Sequence, residues 1–282
     1  MKILLFGNTG AIGTAVEKVC AERKIDYIGL SHSDVEVTDS LAVEAAIERY
    51  RPTIVINAVA IIGVNLCEED PLTCFNVNVI AVSYMARECE KKGIVFVQLS
   101  SHAVFDGFKD YYYTEYDTPV VKGMYAASKY MSEVFAMNLC SMQYVVRFPT
   151  MFGPRRNKKL GFVDKVVEKI YKGEPLKIAS DKTDSPTYTL DVASALVAML
   201  EKEVPYGVYH LANAGIATYY DIVKKLVELL GIDAKIEAVK DSDFPALAHK
   251  SLKTAMKSVK LPPLRAWEEA LADYISTYLK KE

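Results

Sequence analysis

Short apolar runs alternate with segments of helical periodicity along the first half of the chain. Lys2 to Phe6 is such a run, and the segment after it repeats apolar residues at helical spacing. Further strands are predicted at 27–30, 53–57, 94–99 and 144–147, and further helices at 40–50, 72–91 and from about residue 125. Strands that are apolar on both faces and alternate with helices indicate a parallel sheet covered on both sides. The predicted fold class is therefore α/β, with a doubly wound parallel sheet.

The regular alternation ends after Arg147. A loop with Pro149 and Gly153-Pro154 precedes predicted helices at 162–171, 218–230 and 266–278, and an apolar strand at 208–211 would rejoin the sheet. We expect residues 1–147 to form a Rossmann domain that binds NAD(P), with a strand and a helix returning from about 186–212. Residues 148–185 and 213–282 would form a smaller, interleaved substrate-binding lobe.

Composition favours small-molecule chemistry. The chain has 282 residues and a net charge of -2, without the basic face that nucleic acid binding requires. Its five cysteines form no Cys-x-x-Cys pair and lie in apolar or helical stretches, so we interpret them as reduced packing residues. The sequence suggests no signal peptide, no apolar run of roughly 18 residues and no metal-ligand spacing. We therefore expect a cytoplasmic protein without a metal, and leave a homodimer open.

A glycine-rich turn follows the first predicted strand. Gly7-x-x-Gly10-x-x-Gly13 lies where a strand becomes a helix, and such a turn lets a pyrophosphate approach the N–H groups at a helix start. The alternative is an ordinary strand-helix turn. The predicted cofactor-binding residues here are Gly7, Thr9, Gly10, Ala11, Ile12 and Gly13.

The ends of the second and third strands supply further cofactor candidates. Ser31 and His32 stand where an acid would bind a ribose 2′-hydroxyl, and no carboxylate occurs before Asp34, which favours NADPH while leaving NADH open. A solvated loop is the alternative. Glu36 and Val37 would meet the adenine, although Glu36 could equally cap the helix at Ser40. The third strand ends in residues predicted to line the nicotinamide side, namely Asn57, Ala58, Val59 and Ala60.

Tyr125 and Lys129 are four residues apart and therefore neighbours on one helix face. A close ammonium, helped by a cationic nicotinamide ring, would lower the phenol pKa from about 10. Tyr125 would then donate a proton to a carbonyl oxygen that receives a hydride. Ser101, at the carboxyl edge of the fourth strand, could bind the same oxygen. The alternatives are a surface Tyr/Lys pair and a capping serine. His102 beside them could contact substrate or serve only as a cap.

Several stretches together resemble the extended short-chain dehydrogenase/reductase superfamily, and within it the dTDP-4-dehydrorhamnose reductase family. The matching stretches are Phe6 to Gly10, Asn57 to Ala60, Val77 to Val79, Val104 to Gly107, Tyr113 to Pro119, Tyr125 to Lys129, Arg147 to Gly153, Ser185 to Tyr188 with Asp191, Gly207 to His210, and Phe244-Pro245. The resemblance implies that Tyr125, Lys129 and Ser101 form the catalytic set and that Lys129 also holds the nicotinamide ribose. It also implies that NAD(P)H delivers hydride to C4 of a 4-keto sugar nucleotide in polysaccharide biosynthesis, and it adds Asn78 to the predicted cofactor residues.

Departures from that family concentrate on the predicted substrate side. His102 stands where the family usually has aspartate, Arg147-Phe148-Pro149-Thr150 lacks its tryptophan, and residues 249–254 replace an arginine-rich stretch. The predicted substrate residues are Ser101, His102, Thr150 and Lys250. The basic loop with Arg155, Arg156, Lys158 and Lys159 could bind a diphosphate or be solvated. A sugar-nucleotide epimerase that retains NAD, and a non-catalytic regulatory subunit that binds a nucleotide, are the competing functions.

Overall fold

The computed structural model describes residues 1–157 and 159–279. Within these residues a six-stranded, all-parallel sheet has the strand order β10-β5-β4-β3-β1-β2. Its strands are β1 (Lys2–Phe6), β2 (Asp26–Leu30), β3 (Ile54–Asn57), β4 (Val95–Leu99), β5 (Gln143–Arg147) and β10 (Gly207–His210). The prediction of a doubly wound parallel sheet is confirmed. The order reverses at β1, so the loops after β1 and β3 diverge and leave a crevice at the carboxyl edge.

Helices cover both faces of this sheet. They are α1 (Ala11–Glu22), α2 (Ser40–Tyr50), α3 (Val64–Glu69), α4 (Pro71–Phe75), α5 (Ala81–Lys92), α6 (Met124–Leu139) and α8 (Thr189–Glu201). Helices α1 and α8 pack together over one face, and α2, α5 and α6 pack over the other. The buried strand residues, such as Leu4 and Leu5 on opposite faces of β1, explain why the strands are apolar throughout.

The remaining elements form a smaller lobe with its own apolar cluster around Phe152, Tyr188 and Trp267. Its elements are β6 (Met151–Phe152), α7 (Phe162–Tyr171), β7 (Leu176–Ala179), β8 (Thr183–Asp184), β9 (Thr187–Tyr188), β11 (Ala217–Thr218), α9 (Tyr219–Leu230), β12 (Ile236–Val239) and α10 (Trp267–Tyr274). Three strand pairs hold it together: β6 with β9, β7 with β12, and β8 with β11. These pairs join distant segments and have no separate periodicity signal in the sequence.

Two predicted helices differ from the structure. The stretch predicted as one helix over 72–91 is divided into α4, a π-helical turn Asn76–Ile80, and α5. The helix predicted over 266–278 ends its α-helical part at Tyr274 and continues as a π-helical turn Ile275–Leu279. In a π-helical turn the backbone N–H bonds the carbonyl five residues earlier instead of four. Side-chain periodicity does not reveal this change. In the described part of the chain, no helix combines the length and apolarity that a bilayer crossing requires.

Candidate active site

The three glycines of the first turn have three different structural roles. Gly7 has a φ of +86°, and a Cβ there would lie 2.8 Å from the backbone carbon of Ala58. A Cβ at Gly13 would lie 2.2 Å from the carbonyl oxygen of Gly7, so this glycine lets α1 pack against the turn. At Gly10 the nearest atom would be 3.7 Å away, which leaves open space at the start of α1. That space is where a phosphate could approach the free N–H groups of the helix.

A groove runs from this turn along the carboxyl edge of the sheet. One cavity at its outer end is lined by Gly7, Thr9, Gly10, Leu30, Ser31, His32, Val37 and Ala58 to Ala60. A second cavity of about 510 Å³ is lined by Gly10 to Ile12, Asn57 to Ala60, Ser101, His102, Tyr125, Lys129, Thr150 and Arg155. The two share Gly10, Ala58 to Ala60 and Asn157, so most of the predicted cofactor and catalytic residues lie along one groove.

Three predicted cofactor residues lie outside the lining of this groove. Gly13 packs α1 against the turn, as described above. Glu36 accepts hydrogen bonds from the backbone N and the hydroxyl of Thr38, at 3.0 and 2.8 Å. Asn78 is buried and bonds both the N and the O of Ile61, at 2.8 and 3.0 Å, so it braces the loop after β3. The suggested capping role of Glu36 also differs from the structure, because Asp39 caps α2.

Asp34 folds back onto the end of β2. Its Oδ2 accepts hydrogen bonds from the Ser31 N at 2.8 Å and the Ser31 hydroxyl at 2.5 Å. These bonds hold the pKa of Asp34 below its usual value. The His32 side chain is 87% exposed and lies 3.6 Å from Glu36. The end of β2 is therefore a small polar turn with a carboxylate beside it, and this geometry does not separate NADPH from NADH.

Ser101, Tyr125 and Lys129 meet at the inner end of the groove. Ser101 follows β4 and caps the short 3-10 helix His102–Val104, with its Oγ accepting from the Ala103 N at 3.2 Å. Its hydroxyl also acts on the phenol of Tyr125, in the first turn of α6, and favours a lower pKa of that phenol. Lys129 is one turn further along α6, is 3% exposed, and donates from Nζ to the Leu99 carbonyl oxygen at 2.7 Å. A phenol, a hydroxyl and an ammonium therefore come from residues that line one cavity at the sheet edge.

Burial sets the protonation of this group. Desolvation raises the pKa of Tyr125 to about 12, although the Ser101 hydrogen bond opposes the rise. Desolvation lowers the pKa of Lys129 to about 8, against the opposing charge of Glu133. The pKa of Tyr125 is therefore shifted in the direction opposite to the lowering expected from Lys129 and a cationic nicotinamide ring, because burial of the phenol is the largest influence on it. A phenol with a raised pKa is protonated at neutral pH and can donate.

A buried charge network lies directly beneath the site. Glu133, 0% exposed, accepts from the Ser100 hydroxyl at 2.5 Å and from Nε and Nη2 of Arg147 at 2.9 and 2.6 Å. The fork-like pairing is the geometry that arginine and carboxylate prefer. Ser100 joins this network to the end of β4, and Glu133 is one helical turn beyond Lys129. The network therefore fixes the strand end and the helix face that carry Ser101 and Lys129.

On the substrate side, His102 and Thr150 converge on Asp184. The His102 Nδ1 lies 3.4 Å from the Asp184 Oδ2, and the same oxygen accepts from the Thr150 N at 3.0 Å. The Thr150 hydroxyl pairs with the Tyr219 hydroxyl at 3.0 Å. Asp184 is 1% exposed and comes from the short strand β8 of the smaller lobe. The predicted substrate residues His102 and Thr150 are thus joined by a carboxylate that sequence reasoning missed.

The predicted basic residues have separate surroundings. Lys250 lines a third cavity, next to the 510 Å³ one, together with His102, Tyr125 and Lys182. Its Nζ pairs with Asp241 at 2.9 Å. Arg155 lines the 510 Å³ cavity, and its buried Nε has no hydrogen-bond partner among the described residues.

The rest of the basic loop differs from Arg155. Arg156 binds the carbonyl oxygen of Asn8 at 2.9 Å and pairs with Glu17, so it holds the loop against the glycine turn. Lys159 donates its backbone N to the Asn157 side chain, and Lys158 lies outside the described residues. Of the described basic residues of this loop, Arg155 is the one that lines the 510 Å³ cavity.

Sequence reasoning missed three residues that shape the site: Asp184, Glu133 and Tyr219. Asp184 immediately precedes the Ser185-Pro186-Thr187-Tyr188 stretch, and Glu133 is four residues after Lys129. The helical spacing could have placed Glu133 beside Lys129. Asp184 and Tyr219 reach the site through strand pairing in the smaller lobe, and no local pattern indicates it.

A model of the RmlD substrate binding domain family matches residues 1–280. The chain belongs to that family. Among similar curated proteins, the spore coat polysaccharide biosynthesis protein SpsK of Bacillus subtilis is 27% identical over 97% of this chain and 96% of its own length. A dTDP-4-dehydrorhamnose reductase of Mycobacterium tuberculosis is 28% identical over 96% of this chain and 91% of its own.

The fold of this family member also matches solved structures. The dTDP-4-dehydrorhamnose reductase of Bacillus anthracis, solved in complex with NADP, superposes with a TM-score of 0.93. That match covers 98% of this chain and 99% of the other, at 22% sequence identity. The likeness confirms the Rossmann-type fold, and the family match confirms the resemblance drawn from the sequence motifs.

Proposed function

We propose that the protein is an NAD(P)H-dependent oxidoreductase that reduces the 4-keto group of a sugar nucleotide, in the manner of a dTDP-4-dehydrorhamnose reductase. One observation carries this proposal: Ser101, Tyr125 and Lys129 meet at the inner end of a groove that begins at the glycine turn. The M. tuberculosis relative, a dTDP-4-dehydrorhamnose reductase, supports it, and the name of SpsK supports a role in polysaccharide biosynthesis.

The groove fits a nicotinamide dinucleotide. The open space at Gly10 and the 12-residue helix α1 that starts beside it suit a pyrophosphate. Ser31, His32 and Val37 would hold the adenosine end, and Ala58 to Ala60 with Lys129 the nicotinamide end. When bound, NAD(P)H supplies the hydride that C4 receives. Both NADPH and NADH are compatible with the polar turn at Ser31, and the B. anthracis enzyme binds NADP.

Tyr125 supplies the proton. Its raised pKa keeps the phenol protonated at neutral pH, so it can donate to the oxygen that becomes a hydroxyl. The Ser101 hydroxyl binds the same oxygen and stabilises the charge that develops on it. After transfer, Tyr125 is a phenolate in a desolvated site, and the Lys129 ammonium one turn away offsets that charge.

The smaller lobe would hold the rest of the substrate. We propose that residues 1–147, with 186–212 returning to the sheet, bind the cofactor, and that 148–185 and 213–282 bind the sugar nucleotide. His102, Thr150 and Lys250 would face the sugar, and Arg155 the diphosphate. An apolar cavity lined by Phe162, Val166, Ile178 and Tyr219 and edged by Lys165 and Lys169 would take the base. The homodimer and the cytoplasmic location stay predictions.

A substrate panel tests the proposal. The purified protein is mixed with NADPH or NADH and with dTDP-, GDP-, CDP- or UDP-linked 4-keto sugars, and nicotinamide absorbance is followed. A reductase consumes the reduced cofactor with at least one substrate. An ultraviolet spectrum that shows firmly retained NAD, with interconversion of substrates and no net oxidation of NAD(P)H, would instead establish an epimerase. Inactivity with every substrate would favour the regulatory-subunit alternative.

A further inference from the structure

A histidine-carboxylate pair stands beside the predicted ketone-binding group and donates no proton in the proposed reduction. His102 follows Ser101 directly and lines both cavities that contain Tyr125. Its side chain is 19% exposed, whereas its partner Asp184 is 1% exposed. The pair therefore combines a buried carboxylate with an imidazole that opens onto the substrate cavity.

The surroundings fix how this imidazole is oriented. Asp184 Oδ1 accepts from the Ser185 N at 2.9 Å and Oδ2 from the Thr150 N at 3.0 Å, so the carboxylate is held by the backbone on both oxygens. Nδ1 of His102 lies 3.4 Å from Asp184 Oδ2, a charge contact that lacks hydrogen-bond geometry, and Nε2 is the ring nitrogen left for the cavity. No hydrogen bond between described residues uses Nε2.

The protonation of the pair suits a base. Burial and the nearby Lys182 lower the pKa of His102, and Asp184 opposes that effect. The imidazole is therefore neutral near pH 7. The negative charge of Asp184 beside Nδ1 favours the tautomer with its proton on that nitrogen, which leaves a lone pair on Nε2. A carboxylate behind a histidine also stabilises the imidazolium that forms when Nε2 takes up a proton.

We propose that His102, oriented by Asp184, removes a proton from a carbon next to the ketone and returns it, so that the protein exchanges these hydrogens with solvent. This second activity rests on the proposed function, because it uses the same bound ketone. Hydrogen bonds from Ser101 and Tyr125 to the ketone oxygen would acidify the neighbouring C–H bonds. A base beside that polarised carbonyl is the arrangement that enolisation requires.

The step balances without another reactant. The C–H bond breaks, its proton goes to Nε2 of His102, and its electron pair forms the carbon-carbon double bond of an enolate. The enolate charge rests on the oxygen held by Ser101 and Tyr125. The imidazolium exchanges its proton with water and then returns a proton to carbon, which restores the ketone and the neutral histidine.

The test is reduction of a dTDP-linked 4-keto-6-deoxy sugar in D₂O with unlabelled NADPH, followed by proton NMR of the product. The hydrogen at C4 comes from the cofactor and stays protium, so deuterium at C3 or C5 reports enolisation alone. We expect deuterium at one of these carbons well above that in substrate incubated without protein. A product with no more deuterium than that control overturns the inference while leaving the reductase intact.

Two variants assign the exchange to the pair. His102→Gln keeps an N–H that can face Asp184 but has no basic nitrogen, so exchange should fall by about 100-fold, the lower range for general base catalysis. Asp184→Asn should also reduce exchange, because the imidazole loses its orienting charge. Glu48→Gln, at an exposed residue of α2 that lines neither cavity, provides the control and should keep the exchange.

Exchange that persists undiminished in His102→Gln would overturn the assignment. Thermal unfolding of each variant shows whether it is folded, and the NADPH signal in the same samples reports reduction separately. If no ketone is reduced, the proposed function fails, and exchange is then read on the recovered ketone. Deuterium in that ketone would support the inference, and its absence would overturn it.

Discussion

Replacing Glu133 by glutamine tests the buried network that supports the site. Glu133 is 0% exposed and pairs with Arg147, which is 3% exposed. The neutral variant leaves the Arg147 guanidinium buried without its counter-charge, and turns one acceptor into an N–H that faces donors. Removing one partner of a buried ion pair costs about 3–5 kcal/mol. We therefore expect a clear drop in the urea midpoint of Glu133→Gln.

Glu48→Gln is the matched control. Glu48 pairs with Lys92 at 2.5 Å, but its side chain is 58% exposed, so solvent screens the pair and its loss should hardly change the midpoint. Both variants are compared with the unsubstituted protein by circular dichroism in urea. Equal midpoints for Glu133→Gln and Glu48→Gln would refute the reasoning, because burial would then make no difference.

The same variant has a kinetic consequence. Glu133 raises the pKa of Lys129, which burial has lowered to about 8. Activity that needs the ammonium falls as pH rises through this pKa, and loss of the Glu133 charge lowers the pKa further. The alkaline limb of kcat/KM should therefore move to lower pH in Glu133→Gln and stay in place in Glu48→Gln. A limb that is identical in both variants would contradict the role assigned to Lys129.

Three further outcomes follow from the geometry. Tyr125→Phe should keep cofactor affinity, measured by fluorescence titration, while kcat falls by about 10²–10⁴; unchanged turnover would remove Tyr125 from the mechanism. Gly10→Ala should fold normally but bind cofactor more weakly, because its Cβ meets only open groove. Gly13→Ala should instead lower the melting temperature, since its Cβ would lie 2.2 Å from backbone; the reverse pattern in these two variants would refute their roles.

Much of the fold could be predicted because it depends on local pattern. The parallel strands are apolar on both faces, and the glycines of the first turn follow β1 directly, so periodicity and spacing were enough. The place of Ser101 and Tyr125 could also be predicted, since carboxyl ends of parallel strands share one edge. The π-helical turn at Asn76–Ile80 could not, because it depends on which carbonyl each N–H selects.

The rest of the site depends on contacts between distant segments. Asp184, on β8 of the smaller lobe, lies 3.4 Å from His102, which is 82 residues earlier in the turn after β4. Arg156 looked like a phosphate ligand in a basic loop, yet it pairs with Glu17 from the first helix. The pKa of Tyr125 was predicted from Lys129 and a cationic nicotinamide ring, whereas desolvation of the phenol is the largest influence on it in the folded chain. Residue spacing along one helix contains no information about contacts with distant segments or about how deeply a side chain is buried.

Transfer of the hydride from the cofactor to C4 of the sugar is the most direct test of the proposed reduction. The protein is given a dTDP-linked 4-keto-6-deoxy sugar with NADPH that carries deuterium at its transferable position, in ordinary water. Proton NMR of the product should show the C4 signal lost to deuterium while the sugar is reduced, and Tyr125→Phe should form this product far more slowly. NADPH that is never oxidised by any 4-keto sugar of the panel, or deuterium absent from C4 of a reduced product, would contradict the central claim.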